Sequence, residues 1–455
     1  MGFLFALMIL VWPAVAQSQE ESLRIYTEHP RLFLGQHRLK LLQKEKERRS
    51  LRWQQFELLT AGHAPMPEPG LAGALYYRIA GDQASGRAAV TWALGTGTDL
   101  RQIALVFDWC QDLLSPVQSR AIAAKLAKMA ALRSRALAAV ALADHLQAVS
   151  ERELERVIQG RWRGEIAPEL QRGRDVIPHD DYYPLYEMLH AVRDNLNIDL
   201  RESAPEYFKA LPIYDLVSYY PATFPAPEGE YRIPASKGGG EPDVRRAIMS
   251  RAAELAMVPF DTNAPSSQIL QGWLMHDNFL LRSTLGAPYE FLWANPYHPG
   301  LSYYLAPLVF HDENLGRLFI RSSWDESARW LGYFDGELQL FENGNVTVLN
   351  AQLAAEPMSL DTAVVFFGKN AQKFQTILNE DEEVFVLGLT PRRTYQVEVD
   401  DEEMIEGDTD TGGILELKLP HKVQIGVRLH DVRAATPKPR RSAQDDGAGG
   451  ASSPR

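Results

Sequence analysis

The stretch RWLGYFDGELQLFENGNVTVL, residues 329–349, alternates apolar and polar side chains around two dipeptides, Asp335-Gly336 and Asn343-Gly344. Both dipeptides tolerate positive φ at the two central positions of a type I′ turn, whose twist matches that of paired strands. The reading is a run of antiparallel strands, because side chains that alternate every second residue line one face of a sheet. The pattern returns in TAVVFFG, EVFVLGL, TYQVEVDDEE, GILELKLP and VQIGVRL, so residues 305–432 are expected to form an antiparallel β-sandwich. Residues 433–455 lack any apolar period, and a disordered tail is expected there.

Working back from the strands, the period becomes helical. LRWQQFELL, LAGALYYRIAGD, QIALVFDWCQDLL, the alanine-rich AIAAKLAKMAALRSRALAAVALADHL, PLYEMLHAVRDNL, EPDVRRAIMSRAAELA and QILQGWLMHDNFLL space their apolar residues three and four apart. Alanine-rich faces let helices approach closely, which suits the inside of a many-helix stack. No strict 34- or 40-residue repeat is visible, which disfavours a regular solenoid. Residues 29–304 are therefore expected to form one helical domain of antiparallel pairs.

Composition narrows the function. The 455 residues carry a formal net charge of −12, which argues against nucleic acid and anionic membrane as partners. A local basic cleft inside such a chain remains compatible with a polyanionic substrate. GFLFALMILVWPAVAQSQ is an apolar run ending in Ala14-Val15-Ala16, the small-x-small pattern of an export signal, so residues 1–16 are expected to be a cleaved signal peptide, with a retained anchor as the alternative. A periplasmic or secreted location follows. The single cysteine, Cys110, sits at helical spacing among Leu105, Val106 and Leu113 and is expected to be a buried small hydrophobe.

Three stretches carry a resemblance: HPRLFLGQHRLKLLQKEKERRSLRWQQF at 29–56, the pair ALYYRIAGDQASGRAAVTWAL and ALVFDWCQDLLSP, and GRLFIRSSWDESARWLGYFDG at 316–336. With the order of helices and strands, they resemble the heparinase II/III-like polysaccharide lyases and their alginate-lyase relatives. The resemblance implies an incomplete α/α toroid whose cleft faces a β-sandwich, no cofactor, and β-elimination at uronic acids of an acidic polysaccharide. The family's Asn-His element is missing. ADHLQ, with Asp144 and His145, is nearest in kind and lacks the amide.

The chemistry sets the residue types. The site must stabilise charge developing on the uronate carboxylate, a Tyr or His must take the C5 proton, and a Tyr can return one to the leaving oxygen. VIPHDDYYPLYEMLH, residues 176–190, concentrates such groups where a helix begins. His179, Tyr182, Tyr183 and, from WLMHDNF, His276 are the candidate acids and bases. Arg232 and Asn278 are candidates for the carboxylate, and Tyr231, Trp273 and Tyr186 for contacts with the sugar. The bland reading of 176–190 is a helix capped by Asp180 or Asp181, its tyrosines in the core. The Pro-rich aromatic segment 219–232 reads either as a sugar-stacking loop or as packing over the helices, and 289–304 as interdomain packing. His179, Asp180, His276, His298 and His311 show no tight ligand spacing, so no metal is expected.

The leading expectation is an exported polysaccharide lyase. A non-catalytic glycan-binding or cell-envelope protein on the same scaffold is the alternative. A hydrolase would need two carboxylates across a cleft, for which Asp180 and Asp277 are candidates.

Overall fold

The computed structural model describes residues 23–434 apart from 228, 280, 352–355, 369–373, 377–382, 401–402 and 420–424, so the expected signal peptide and nearly all of the expected tail lie outside the described residues. Fourteen α-helices precede the large sheets among the described residues: α1 (Gln36–Glu47), α2 (Leu51–Ala61), α3 (Pro69–Ala80), α4 (Gln83–Leu94), α5 (Leu100–Trp109), α6 (Pro116–Leu126), α7 (Leu132–Ala141), α8 (Gln147–Glu155), α9 (Ala167–Gln171), α10 (Tyr182–Leu196), α11 (Pro205–Val217), α12 (Val244–Met257), α13 (Pro265–His276) and α14 (Gly286–Trp293). A π-helix, Arg156–Ile166, follows α8 directly. No helix among the described residues is long and apolar enough to cross a membrane.

Local chemistry sets many of the boundaries. The Gly-Asp break in YYRIAGD ends one helix and starts the next: Gly81 takes φ +78° at the end of α3, and the Asp82 carboxylate accepts from the Ser85 N–H of α4. Ser115 and Gln118 form a capping box with Pro116 in the first turn of α6. The alanine-rich run is divided between α6 and α7.

Six helices, α3, α5, α7, α10, α12 and α14, pack each against the next, and α14 returns to α3. This ring is the toroid, and the other helices pack around it. Its members are buried on most sides, as in Ala136–Ala141 of α7, where every side chain is buried. Cys110 lies in this core, and burial raises its thiol to about 12, as expected for an inert small hydrophobe.

Between α11 and α12 the chain makes a hairpin, β1 (Tyr219–Ala226) and β2 (Gly229–Pro234), where a loop was expected. Prolines 221, 225 and 227 hide the alternation, and a two-stranded ribbon tolerates them because its outer edges need no partner.

The C-terminal strands are β3 (Val309–Asp312), β4 (Arg317–Arg321), β5 (Trp330–Phe334), β6 (Glu337–Glu342), β7 (Asn345–Leu349), β8 (Met358–Ser359), β9 (Ala363–Phe367), β10 (Phe374–Thr376), β11 (Glu383–Leu387), β12 (Arg393–Val399), β13 (Glu403–Asp408), β14 (Leu415–Leu417) and β15 (Ile425–Ala434). The expected hairpins are present. Trp330 pairs with Phe341 and Phe334 with Glu337 around Asp335-Gly336, both at positive φ, and Glu342 pairs with Asn345 around Asn343-Gly344.

The strands form three sheets, ordered β3-β4-β5-β6-β7, β14-β11-β9-β8 and β10-β15-β12-β13. Phe319, Trp330, Phe334 and Phe341 of the first sheet join the helical core. Its other face, through Leu318, Ile320 and Leu331, meets Val365, Phe367, Phe385 and Leu387 of the second. The second sheet then packs Val364, Phe366, Val384 and Val386 against Val397, Val399 and Val427 of the third. The expected sandwich is thus part of a three-sheet stack whose first two sheets are covered on both sides. One pair, β9 with β11, runs parallel, in keeping with the continuous apolar runs AVVFF and VFVL.

Candidate active site at the toroid–sheet junction

Helix α13 ends at His276, and the chain reverses through Asn278 and Phe279, both at positive φ. Asp277 at that turn is the hub. Its carboxylate accepts from Arg232 Nε of β2 at 3.0 Å, from Arg251 Nη2 of α12 at 2.6 Å, and lies 3.1 Å from Nδ1 of His276. Burial would raise the Asp277 carboxyl, and the charges of Arg251 and Arg232 outweigh it, holding the group at about 2. An acid held this low is a poor proton donor, which weakens the hydrolase reading.

With Nδ1 committed to Asp277, Nε2 of His276 is the nitrogen left for a ligand, and half of this side chain is exposed (51%). Tyr303 packs edge-on against the His276 ring at 5.0 Å, and Tyr304 stacks on Tyr303 at 4.4 Å with its own ring 60% exposed. Gly272 makes this possible. A Cβ there would lie 1.7 Å from the carbonyl oxygen of Leu301, so only glycine lets the segment bearing the tyrosines lie on α13.

Arg321, at the end of β4, adds a third guanidinium, itself buried. It donates to the Tyr219 carbonyl at 3.0 Å, lies over the Trp324 ring and has no ion-pair partner among the described residues. Burial, with the like charge of Arg232, lowers it to about 9. Glu254 on α12, 2.9 Å from Arg251, is fully buried. Burial raises its carboxyl to about 8, against the pull of Arg251.

The other candidates lie elsewhere. His179 Nε2 lies 3.0 Å from Asp215 Oδ1 and 3.3 Å from Ser250 Oγ, which accepts from the Tyr219 hydroxyl at 2.7 Å. His179, Ser250 and Tyr219 thus form one buried polar group, and Glu254, Arg251, Asp277 and His276 another.

Tyr182, Tyr183 and Tyr186 correct the expectation of a catalytic helix start. Each is 1% exposed, because α10 belongs to the inner ring and is packed on nearly every side. The Tyr183 hydroxyl accepts from Trp293 Nε1 at 3.1 Å and Arg101 at 3.3 Å, Tyr186 packs on Phe260, and burial drives all three phenols up. Asp181 occupies the N-cap position without a side-chain capping bond, and Asp180 pairs with Arg246, so the capping reading also needs correction. Trp273 and Tyr231 are buried, and the Trp273 face is covered by the Arg232 guanidinium at 4.3 Å, so neither ring is a free platform. Asn278 is exposed beside the hub.

Asp144 of ADHLQ binds His29 Nε2 at 3.1 Å and pairs with Arg31, tying down the N-terminal segment, while His145 meets Gln111. His311, Glu313 and Glu416 bring three potential ligand atoms within 4.8 Å of one another, but both nitrogens of His311 already face Asp410 and Glu416.

Sequence reasoning missed Arg251, Glu254, Arg321, Tyr303 and Tyr304 as site residues. Arg251 and Glu254 fall inside a stretch that reads only as a helix, and the tyrosines in a segment that reads as junction packing. Only the exposed ring of Tyr304 distinguishes them.

No family model and no curated protein matches the chain. Among solved structures, one described as "Glycoside hydrolase" aligns with a TM-score of 0.29 and 10% identity, covering 80% of this chain and 71% of that chain, and a likeness at this level carries no argument about chemistry.

Proposed function

We propose that the protein is an exported polysaccharide lyase-like enzyme that performs β-elimination at uronic acids of an acidic polysaccharide. The observation that carries the reading is the junction itself: two guanidiniums meet one strongly acidic carboxylate, and a third, Arg321, lies buried nearby without an acid among the described residues, beside a half-exposed histidine and an exposed tyrosine, in a chain of net charge −12. That surplus of positive charge suits an anion.

In this reading Asp277 holds the Nδ1–H tautomer of His276, and Nε2 takes the C5 proton. The charges of Arg232 and Arg321 favour the enolate-like carboxylate that develops, an effect strongest where water is excluded. Electrons from the C5–H bond form the C4–C5 double bond, the C4–O bond breaks, and the Tyr304 hydroxyl protonates the leaving oxygen. Asn278 sits where it can hydrogen-bond the sugar.

The alternative, a non-catalytic glycan-binding protein, draws on the prior engagement of Arg232 by Asp277. A panel of uronate polymers, followed by absorbance of the unsaturated product, separates the two. Turnover that disappears in His276→Ala supports the lyase. Binding without turnover by the parent protein supports the alternative.

A further inference from the structure

The π-helix between α8 and α9 is eleven residues long, whereas most occur as single-turn bulges, often at functional sites. It lines two adjoining grooves of about 350 and 360 Å³, which share Leu132 and Arg161. The first is edged by Arg135, Arg156, Arg161 and Glu165. Beneath it, the buried carboxylate of Glu153 meets three guanidiniums: Arg135 at 3.0 Å, Arg156 at 2.5 Å and Arg152 at 3.5 Å. Arg161 pairs with Glu165. Four arginines thus face two carboxylates. The second groove is mainly apolar, with Val176, Pro184 and Leu185 in its wall and Arg133 and Asp181 beside them. Gly160 opens the floor of the first, since a Cβ there would meet nothing within 4 Å.

We propose that this trough is an accessory binding site for an anionic polysaccharide strand, separate from the His276 junction. The guanidiniums take carboxylate or sulfate groups, and the apolar wall takes the flat faces of the sugar rings. Charge-assisted forks give anion recognition, and sugar rings are among the few polyanion backbones with an apolar face. The ligand class rests on the function proposed above, but the site does not need that reaction. α7, the π-helix and the start of α10 build it, whereas α13 carries His276.

The test is calorimetric titration of the full chain, in the His276→Ala background so that nothing is consumed. The probes are an oligouronate, a sulfated glucan oligomer, an uncharged glucan and a single-stranded oligonucleotide, all of equal length. Gly160→Glu fills the floor with a negative charge without a steric clash, and Arg156→Glu with Arg161→Glu reverses two exposed charges. Both variants are expected to bind the oligouronate or the sulfated oligomer at least about tenfold more weakly, the scale of one or two charge-assisted bonds. Stronger loss for one probe identifies carboxylate or sulfate as the preferred group. Turnover of a short substrate by Gly160→Glu with His276 intact is expected to match the parent. Unchanged affinity in both variants, equal binding of the uncharged glucan, or tighter binding of a single-stranded nucleic acid at this site overturns the proposal. Loss of turnover with the trough intact would count against the lyase reading alone.

Discussion

Arg321 donates its guanidinium to the carbonyl of Tyr219 at 3.0 Å, so the first sheet and the hairpin of the helical region share one buried cation. A buried arginine without a carboxylate is costly to the fold.

Arg321→Met should therefore fold at least as well as the parent, with a melting temperature unchanged or raised, because an apolar side chain of similar length removes the desolvation cost. Binding of an acidic oligosaccharide should weaken. Calorimetric melting and a KM measurement check the two halves, and a large drop in stability would show that Arg321 is structural.

Asp277→Asn should cost both stability and activity. It leaves Arg232 and Arg251 without their shared carboxylate, a loss on the order of 3–5 kcal/mol for a buried pair. It also frees the His276 ring. His276→Ala, at a half-exposed side chain, should abolish elimination and shift stability by less than about 0.5 kcal/mol. Denaturant melts alongside the absorbance assay separate the effects.

Glu254 and Asp277 should give stability opposite pH dependences. The folded Glu254 carboxyl is raised from 4.5 to about 8, so the folded state binds more protons than the unfolded chain in that window, and stability falls as pH rises through it. Asp277 is depressed from 3.8 to about 2, so its contribution is present above 3.8 and is lost as pH falls toward 2. Glu290, raised to about 7 mainly by burial, acts in the sense of Glu254. Glu254→Gln should flatten the decline between about pH 5 and 8, by at most about 1.4 kcal/mol per pH unit. Melting temperature against pH for both proteins is the measurement.

Gly272→Ala should damage the site from a distance. The added methyl would meet the Leu301 carbonyl, so the segment holding Tyr303 and Tyr304 must lift from α13. Turnover should fall together with thermal stability, whereas Tyr304→Ala should raise KM and leave the melting temperature nearly unchanged, as for other exposed side chains.

The sequence by itself determined what depends on neighbours along the chain. Asp335-Gly336 and Asn343-Gly344 specify their turns because positive φ is a local property, and the Gly-Asp break at 81–82 ends one helix and caps the next for the same reason. Period 3.6 followed by period 2 sufficed for helices before sheets. His276, Arg232 and Asn278 were legible as candidates because their types fit the chemistry. Local pattern failed where partners are remote. The 176–190 stretch has the composition of an active site, yet α10 lies in the inner ring, where Tyr214 of α11 covers Tyr182, Arg101 of α5 and Tyr289 of α14 cover Tyr183, and Phe260 covers Tyr186. Asp277 gains its two arginines from β2 and α12, 45 and 26 positions away. Charge and burial at a site are sums over what packs around it, and only the tertiary structure decides which residues those are.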